Sequence, residues 1–235
     1  VTDTIRALRG RCGAWMIAAL AIGGSAACSA RVGPDEVQPG VEAQVLQQTS
    51  LDRPWFAVFD WSLRDGRSNF EGSGAARLLP DSARLDLFGP QDVAYLSALL
   101  LGDRLLIPDG VPRDVVPPAP LLWGALGVVR PPAGAVLQGA VRDGEGATLR
   151  YRVRSGASAG YWTYRTRGSA LVSAEWIGND GARRLVRLTA AGAGLPARAT
   201  YTHERALREL TLERTLQEEV DGFPADVWRL EGDGS

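Results

Sequence analysis

From Leu51 onward apolar residues recur at every second position, the pattern of strands with one buried and one wet face. Trp55 to Trp61 is an aromatic strand, and Asp65-Gly66 is a dipeptide that closes hairpins, because Gly tolerates positive φ. Phe70, Gly72, Gly74, Ala76 and Leu78 then share one strand face, Pro80-Asp81 turns the chain, and Ala83, Leu85 and Leu87 alternate with Arg84 and Asp86. Residues 92–101 and 103–107 read as the next hairpin, joined through Gly102-Asp103. Strands resume at Val136–Val141, Thr148–Arg154, Tyr161–Arg167, Ala170–Ile177, Arg183–Ala190, Ala199–Glu204 and Arg208–Leu216. Around the last of these, Leu207 to Val220 has apolar spacing that partly suits a helix, but Thr211 and Thr215 favour a strand. About eleven or twelve strands in one antiparallel sheet must curl or close, which relieves the exposed edges.

Two segments break the rhythm. Between Ile107 and Ala135, Pro108, Pro112, Pro117, Pro118 and Pro120 forbid a regular ladder. Leu121, Leu122, Trp123, Ala125, Leu126, Val128 and Val129 follow and end at Arg130-Pro131-Pro132. Pro120 suits the first turn of a helix and Pro131 its end, so the spacing predicts a short helix that is apolar almost all round. Such a helix must lie inside something. Whether it is core, or a lid or plug over an apolar concavity, is open at this point. From Ala30 to Ser50 the chain is polar, with Val37, Val41, Val45 and Leu46 at near-helical spacing, and reads as a tether followed by a short amphipathic helix.

Arg6, Arg9 and Arg11 precede an apolar run that ends in Gly23-Gly24-Ser25-Ala26-Ala27-Cys28, the layout of a secretory signal. Ala14 to Ile22 is far shorter than the roughly 20 residues that cross a bilayer. A Cys directly after two Ala resembles the lipobox of bacterial lipoproteins, although Ser25 stands where that motif usually has Leu. The resemblance implies that Cys28 receives a diacylglycerol and becomes the first mature residue. Ser29, rather than the Asp of inner-membrane retention, implies an outer-membrane destination. Of two Cys in the chain, Cys12 would leave with the signal, and a lone thiol in an oxidising compartment is a liability unless blocked.

Composition excludes more than it selects. The 26 basic residues, all Arg, balance 27 acidic ones to a net charge of −1, so no nucleic-acid surface is implied. One His and two Cys leave no metal cluster to find, and neither a metal nor a cofactor is expected. The Arg residues alternating along Thr148–Arg154 are read as a solvated outer face. Gly156-Ala157-Ser158-Ala159-Gly160 spells G-x-S-x-G, with Asp180 and His203 following in the chain order of an α/β-hydrolase triad. That motif works only as a strand-turn-helix elbow, and here the aromatic strand Tyr161-Trp162-Thr163-Tyr164 follows, so Ser158 is expected at a hairpin tip and the chain is not expected to be an enzyme. Gly72-Ser73-Gly74 and Gly192-Ala193-Gly194 lack a Lys and a following helix, so they are read as places where a strand flattens or bulges rather than as phosphate loops.

Together, the lipobox, an N-terminal helix, Phe70-Glu71-Gly72-Ser73-Gly74, the run Pro80 to Pro90, and Leu121-Leu122-Trp123 with Leu126-Gly127 resemble the outer-membrane lipoprotein-localisation factors, the LolA/LolB superfamily, and a related group of uncharacterised lipoproteins. The likeness is clearest over Trp55 to Pro132. It implies a mainly β fold in which a single curved antiparallel sheet of about eleven strands forms an unclosed barrel, with an N-terminal helix and a short apolar helix covering or plugging the concave face. It further implies a cavity for acyl chains, for which Phe70, Leu85, Leu87, Tyr95, Leu122, Trp123 and Leu126 are the candidate lining residues. The expected organisation is a signal over 1–27, a lipidated tether and helix over 28–50, and the barrel domain over 51–235. The expected function is a monomeric, membrane-anchored carrier or receptor of acyl chains or lipoproteins. The alternatives are a structural or assembly component of the outer membrane with a filled core and, more distantly, a serine esterase using Ser158.

Overall fold

The computed structural model describes residues 36–111, 116–189 and 194–230, so the expected signal segment and Cys28 lie outside the described residues. A first meander runs β1 (Trp55–Asp65), β2 (Ser68–Leu78), β3 (Ser82–Phe88), β4 (Ala94–Leu101) and β5 (Arg104–Leu106), preceded by the helix α1 (Val41–Thr49). After the helix α2 (Ala119–Ala125), a second meander runs β6 (Val136–Asp143), β7 (Gly146–Val153), β8 (Gly160–Arg167), β9 (Ala170–Gly178), β10 (Arg183–Thr189), β11 (Arg198–His203) and β12 (Arg208–Glu219). All twelve strands form one antiparallel sheet in the order β5-β4-β3-β2-β1-β12-β11-β10-β9-β8-β7-β6. The two meanders therefore join at the centre through β1 and β12, and β5 and β6 are the two edge strands.

That order explains α2. The chain must pass from one edge of the sheet to the other between β5 and β6, and a crossing over the inner face places every side of the connecting helix against protein. All seven residues of α2 are buried. The helix packs against β9, β10 and β11. It is shorter than its apolar run predicts. At Gly127, with φ +85°, the chain turns back, its amide reaching the Gly124 carbonyl at 2.9 Å and that of Val128 reaching Trp123 at 3.0 Å, a glycine-terminated helix end. Val128 and Val129 are buried beyond the helix, as extended core.

The crossing segment is tied to both halves of the sheet. Trp123 Nε1 donates to the Gly102 carbonyl in the β4–β5 turn at 2.7 Å. The Arg130 guanidinium stacks 4.5 Å from the Trp123 ring centre and donates to the Pro80 carbonyl at 2.8 Å. From the other half, Tyr164 donates its hydroxyl to the Arg130 carbonyl at 3.1 Å, and burial pushes its phenol pKa up. Thr49, at the end of α1, accepts the Val129 amide at 3.2 Å while donating to Val45 at 2.9 Å. The β6 edge is covered in turn: Gln38 donates to the Ala140 carbonyl and Ala140 to that of Glu36, both at 2.8 Å, the pairing that a free strand edge otherwise offers to another chain.

The segment with mixed helix and strand signals is β12. Phe59 pairs with Arg214 while its neighbour Val58 pairs with Leu216, so Thr215 is an extra residue, a bulge. Past it the inward and outward positions exchange: Leu216 faces out and Gln217 faces in. That parity change is what breaks the period of two in the sequence.

On the outer face Asp86 is 5% exposed and gathers Arg77 at 2.8 Å, Arg84 at 2.9 Å and the Ser97 hydroxyl at 2.8 Å. Arg84 also holds the carbonyls of Val227 at 2.8 Å and Arg229 at 2.9 Å, pinning the C-terminal segment to the sheet. Removing the carboxylate leaves both guanidinium groups without their shared partner. Asp86→Ala is expected to lower unfolding stability by about 3 kcal/mol, measured by denaturant titration, and to expose the segment from Pro224 to Leu230 to proteolysis.

Candidate functional site

Cross-strand register stacks the inner face in rows. Leu63, Leu210, Tyr201, Val186, Ala174, Tyr164 and Leu149 lie directly opposite one another from β1 round to β7, and all are buried. On the other side of β1 an aromatic residue faces a glycine twice. Phe59 opposes Gly74 and Trp61 opposes Gly72. A Cβ on Gly74 would come within 2.3 Å of the Phe59 ring. Trp61 Nε1, lying over the glycines, donates to the carbonyls of Ser73 at 2.8 Å and Phe88 at 3.0 Å. The Gly72-Ser73-Gly74 run thus accommodates flat aromatic rings.

Where small residues on the sheet, Ala57, Ala76 and Ala199, face the end of α2 at Ala125 and Leu126, the packing leaves an apolar cleft of about 30 Å³. A cleft of that size holds about one water or methylene group, so little space remains between the end of α2 and the sheet. The cleft shares Leu126, Leu195 and Pro196 with the lining of a half-open groove of about 410 Å³. Its walls come from the end of α1 (Thr49 to Arg53), the turn after α2 (Gly127, Val128), the β8–β9 turn (Ser169 to Leu171) and Gly194 to Pro196. That volume falls within the range of small-molecule sites, roughly 300–1,000 Å³. The inward-facing Gln217 fixes one wall by accepting the Leu195 amide at 3.2 Å. At the rim Arg53 bridges Asp52 at 3.1 Å and Glu219 at 2.8 Å, and its hydrogen bond holds the Asp52 carboxyl below the usual range. These pairs are exposed, so they mark a polar entrance and add little stability.

The seven residues expected to line an acyl cavity do not converge. Leu126 lines both the cleft and the groove. Leu85, Leu87, Leu122 and Trp123 are buried in the core. Phe70 and Tyr95 stand toward the β1–β2 hairpin tip, away from the groove, 42% and 39% exposed, with ring centres 5.7 Å apart. The residues that shape the cleft are instead alanines at inward strand positions. Ala76 already stood out in the period of two, but its small size beside large neighbours was the usable signal.

Ser158 sits in the β7–β8 hairpin loop, and its carbonyl accepts the indole N–H of Trp162 at 3.0 Å and of Trp176 at 3.3 Å. Gly160, with φ +144°, lets those rings approach: a Cβ there would lie 2.2 Å from the Ile177 carbonyl and 2.9 Å from the Trp176 nitrogen. Asp180 accepts the Ala182 amide at 3.0 Å and Arg205 at 2.7 Å, which hold its carboxyl below the ordinary range, the amide chiefly. His203 ends β11, three strands from Ser158, about 14 Å at normal strand spacing. The glycines of G-x-S-x-G serve a hairpin and an indole clamp, and the three residues form no triad.

No family profile matches the sequence, and no curated protein matches it. Solved structures do match in fold. A LolA superfamily protein from Nitrosomonas europaea superposes with a TM-score of 0.54 at 10% identity, covering 80% of this chain and 97% of that one. A DUF1329 family protein from Desulfovibrio piger gives 0.51 at 10% identity, covering 83% of this chain and 98% of the other.

The clamp makes opposite forecasts for two neighbouring positions. Gly160→Ala should destabilise the protein by more than about 1 kcal/mol, because Ala resists positive φ, whereas Ser158→Ala should leave the thermal midpoint unchanged. A fluorophosphonate serine probe should not label Ser158.

Proposed function

We propose, from the premise that this chain has the LolA-like fold, that it is a lipoprotein of the bacterial envelope that takes an acyl chain into the groove beside α2. In this reading it is a carrier or receptor for lipids or lipoproteins, without catalytic activity. Lipid on Cys28 would hold it at the outer membrane, facing the periplasm. The observation that carries the reading is the groove lying directly beside the apolar cleft, the two sharing Leu126, Leu195 and Pro196 as walls.

Energetics favour such entry. Each methylene moved out of water contributes about 0.8 kcal/mol. The bonds that hold the turn after α2, such as Val129 to Thr49, contribute about 1 kcal/mol each. Displacing the turn of Gly127 and Val128 also gives up the burial of Val128, about 1.5–3 kcal/mol, so it takes a long acyl chain, of about sixteen carbons, to open the space beneath α2. The small size of the cleft favours a second reading, an assembly component of the envelope whose interior stays packed.

A fluorescent long-chain fatty acid distinguishes the two. The detergent-free protein should bind it, and Ser169→Trp, an exposed position on the groove wall, should weaken binding at least tenfold without shifting the thermal midpoint. No binding to the unmodified protein would favour the packed interior. Anchoring is tested separately: labelled palmitate should enter the protein in a bacterial host and fail to enter Cys28→Ala.

A further inference from the structure

The last inward row before the hairpin tips differs from the apolar rows behind it. Trp162, Trp176, Arg184, His203, Arg208 and Asp65 lie directly opposite one another from β8 round to β1. Directly opposed residues share a face, so three basic side chains and one carboxylate point inward together. His203 is 8% exposed and Arg208 7%, and Arg208 donates to Asp65 at 2.7 Å. Arg184 lies with its guanidinium carbon 5.0 Å from the Trp176 ring centre. Its Nε is closed off from solvent and has no acceptor among the described residues. The residue as a whole is only half-buried, so a solute can reach it.

This is the chemistry of an oxyanion site. A guanidinium is always charged, offers a planar fork of donors that matches phosphate, and is held in orientation by stacking on an aromatic face. Partial burial strengthens its attraction for an anion relative to water. We propose that Arg184 and His203, with Trp176 beneath and the Arg208–Asp65 pair beside them, bind a phosphate-type oxyanion. It is either free or the headgroup of a lipid. The site lies at the end of the sheet that carries the Gly66 and Gly181 turns, whereas the acyl groove opens at the end that carries Trp55 and Ser169. The two sites stand or fall separately.

Calorimetric titration of the full-length protein with inorganic phosphate, dodecyl phosphate and dodecanol tests the proposal. At least one phosphate should bind, and Arg184→Gln should weaken it at least tenfold, with Arg184→Lys between the two because it keeps the charge and loses the fork. His203→Gln should weaken it several-fold, giving a second reading if Arg184→Gln fails to fold. Ser169→Trp should leave inorganic phosphate binding unchanged. Dodecyl phosphate binding at least tenfold tighter than both inorganic phosphate and dodecanol identifies a lipid headgroup site. Equal affinities for the two phosphates identify a site for the free anion. The proposal is overturned if neither phosphate binds, if dodecanol matches dodecyl phosphate while inorganic phosphate does not bind, or if the Arg184 and His203 variants bind as the unmodified protein does.

Discussion

Everything else in this molecule depends on one topological constraint: the first meander ends at β5 and the second begins at β6, on opposite edges of the same sheet. The connection has to cross the inner face, and there it cannot leave polar groups without partners. Its apolar helix is the solution for the side chains. The bonds from Trp123 to Gly102 and from Tyr164 to Arg130, with the stack of Arg130 on Trp123, are the solution for the polar groups. The same crossing gives a sheet that never closes on itself a single core.

The functional geometry follows from imperfect filling of that core. Large side chains pack under most of α2, with Trp162, Tyr164 and Tyr201 fully buried beside its own Trp123. Beneath Ala125 and Leu126, however, the sheet offers Ala57, Ala76 and Ala199, and the result is a narrow cleft beside a groove. The end of α2 has free space beneath it to move into, which the closely packed stretch around Leu121 and Trp123 lacks. The fold thus places a gap in its packing beside a groove that opens to solvent.

Much of this was legible in the sequence. The period of two located the strands other than β12, and the Pro-bracketed apolar run located α2. Stacking of Arg150 and Arg152 on Tyr161 agrees with the reading of the arginine stripe as an outer face. What periodicity could not reveal was three-dimensional. The bulge at Thr215 reverses the parity of β12, so its pattern imitated a helix. The choice between core and lid for α2 depended on which edges of the sheet were free. Leu122 and Trp123 looked like cavity walls because apolar residues in a lid and in a core have the same composition. Arg184 and Arg208 went unnoticed as inward residues because an arginine in a strand is normally assigned to solvent, and only the register with Trp176 and His203 reverses that assignment.

Hydrogen exchange in the presence and absence of a long-chain fatty acid probes the yielding of the segment after α2 most directly. Exchange at the amides of Leu126, Gly127, Val128 and Val129 should change on addition of the fatty acid, while those of Leu185 and Val186 in β10 stay as they were. Exchange unaltered at all of these amides would contradict the account, leaving α2 a fixed part of a closed core.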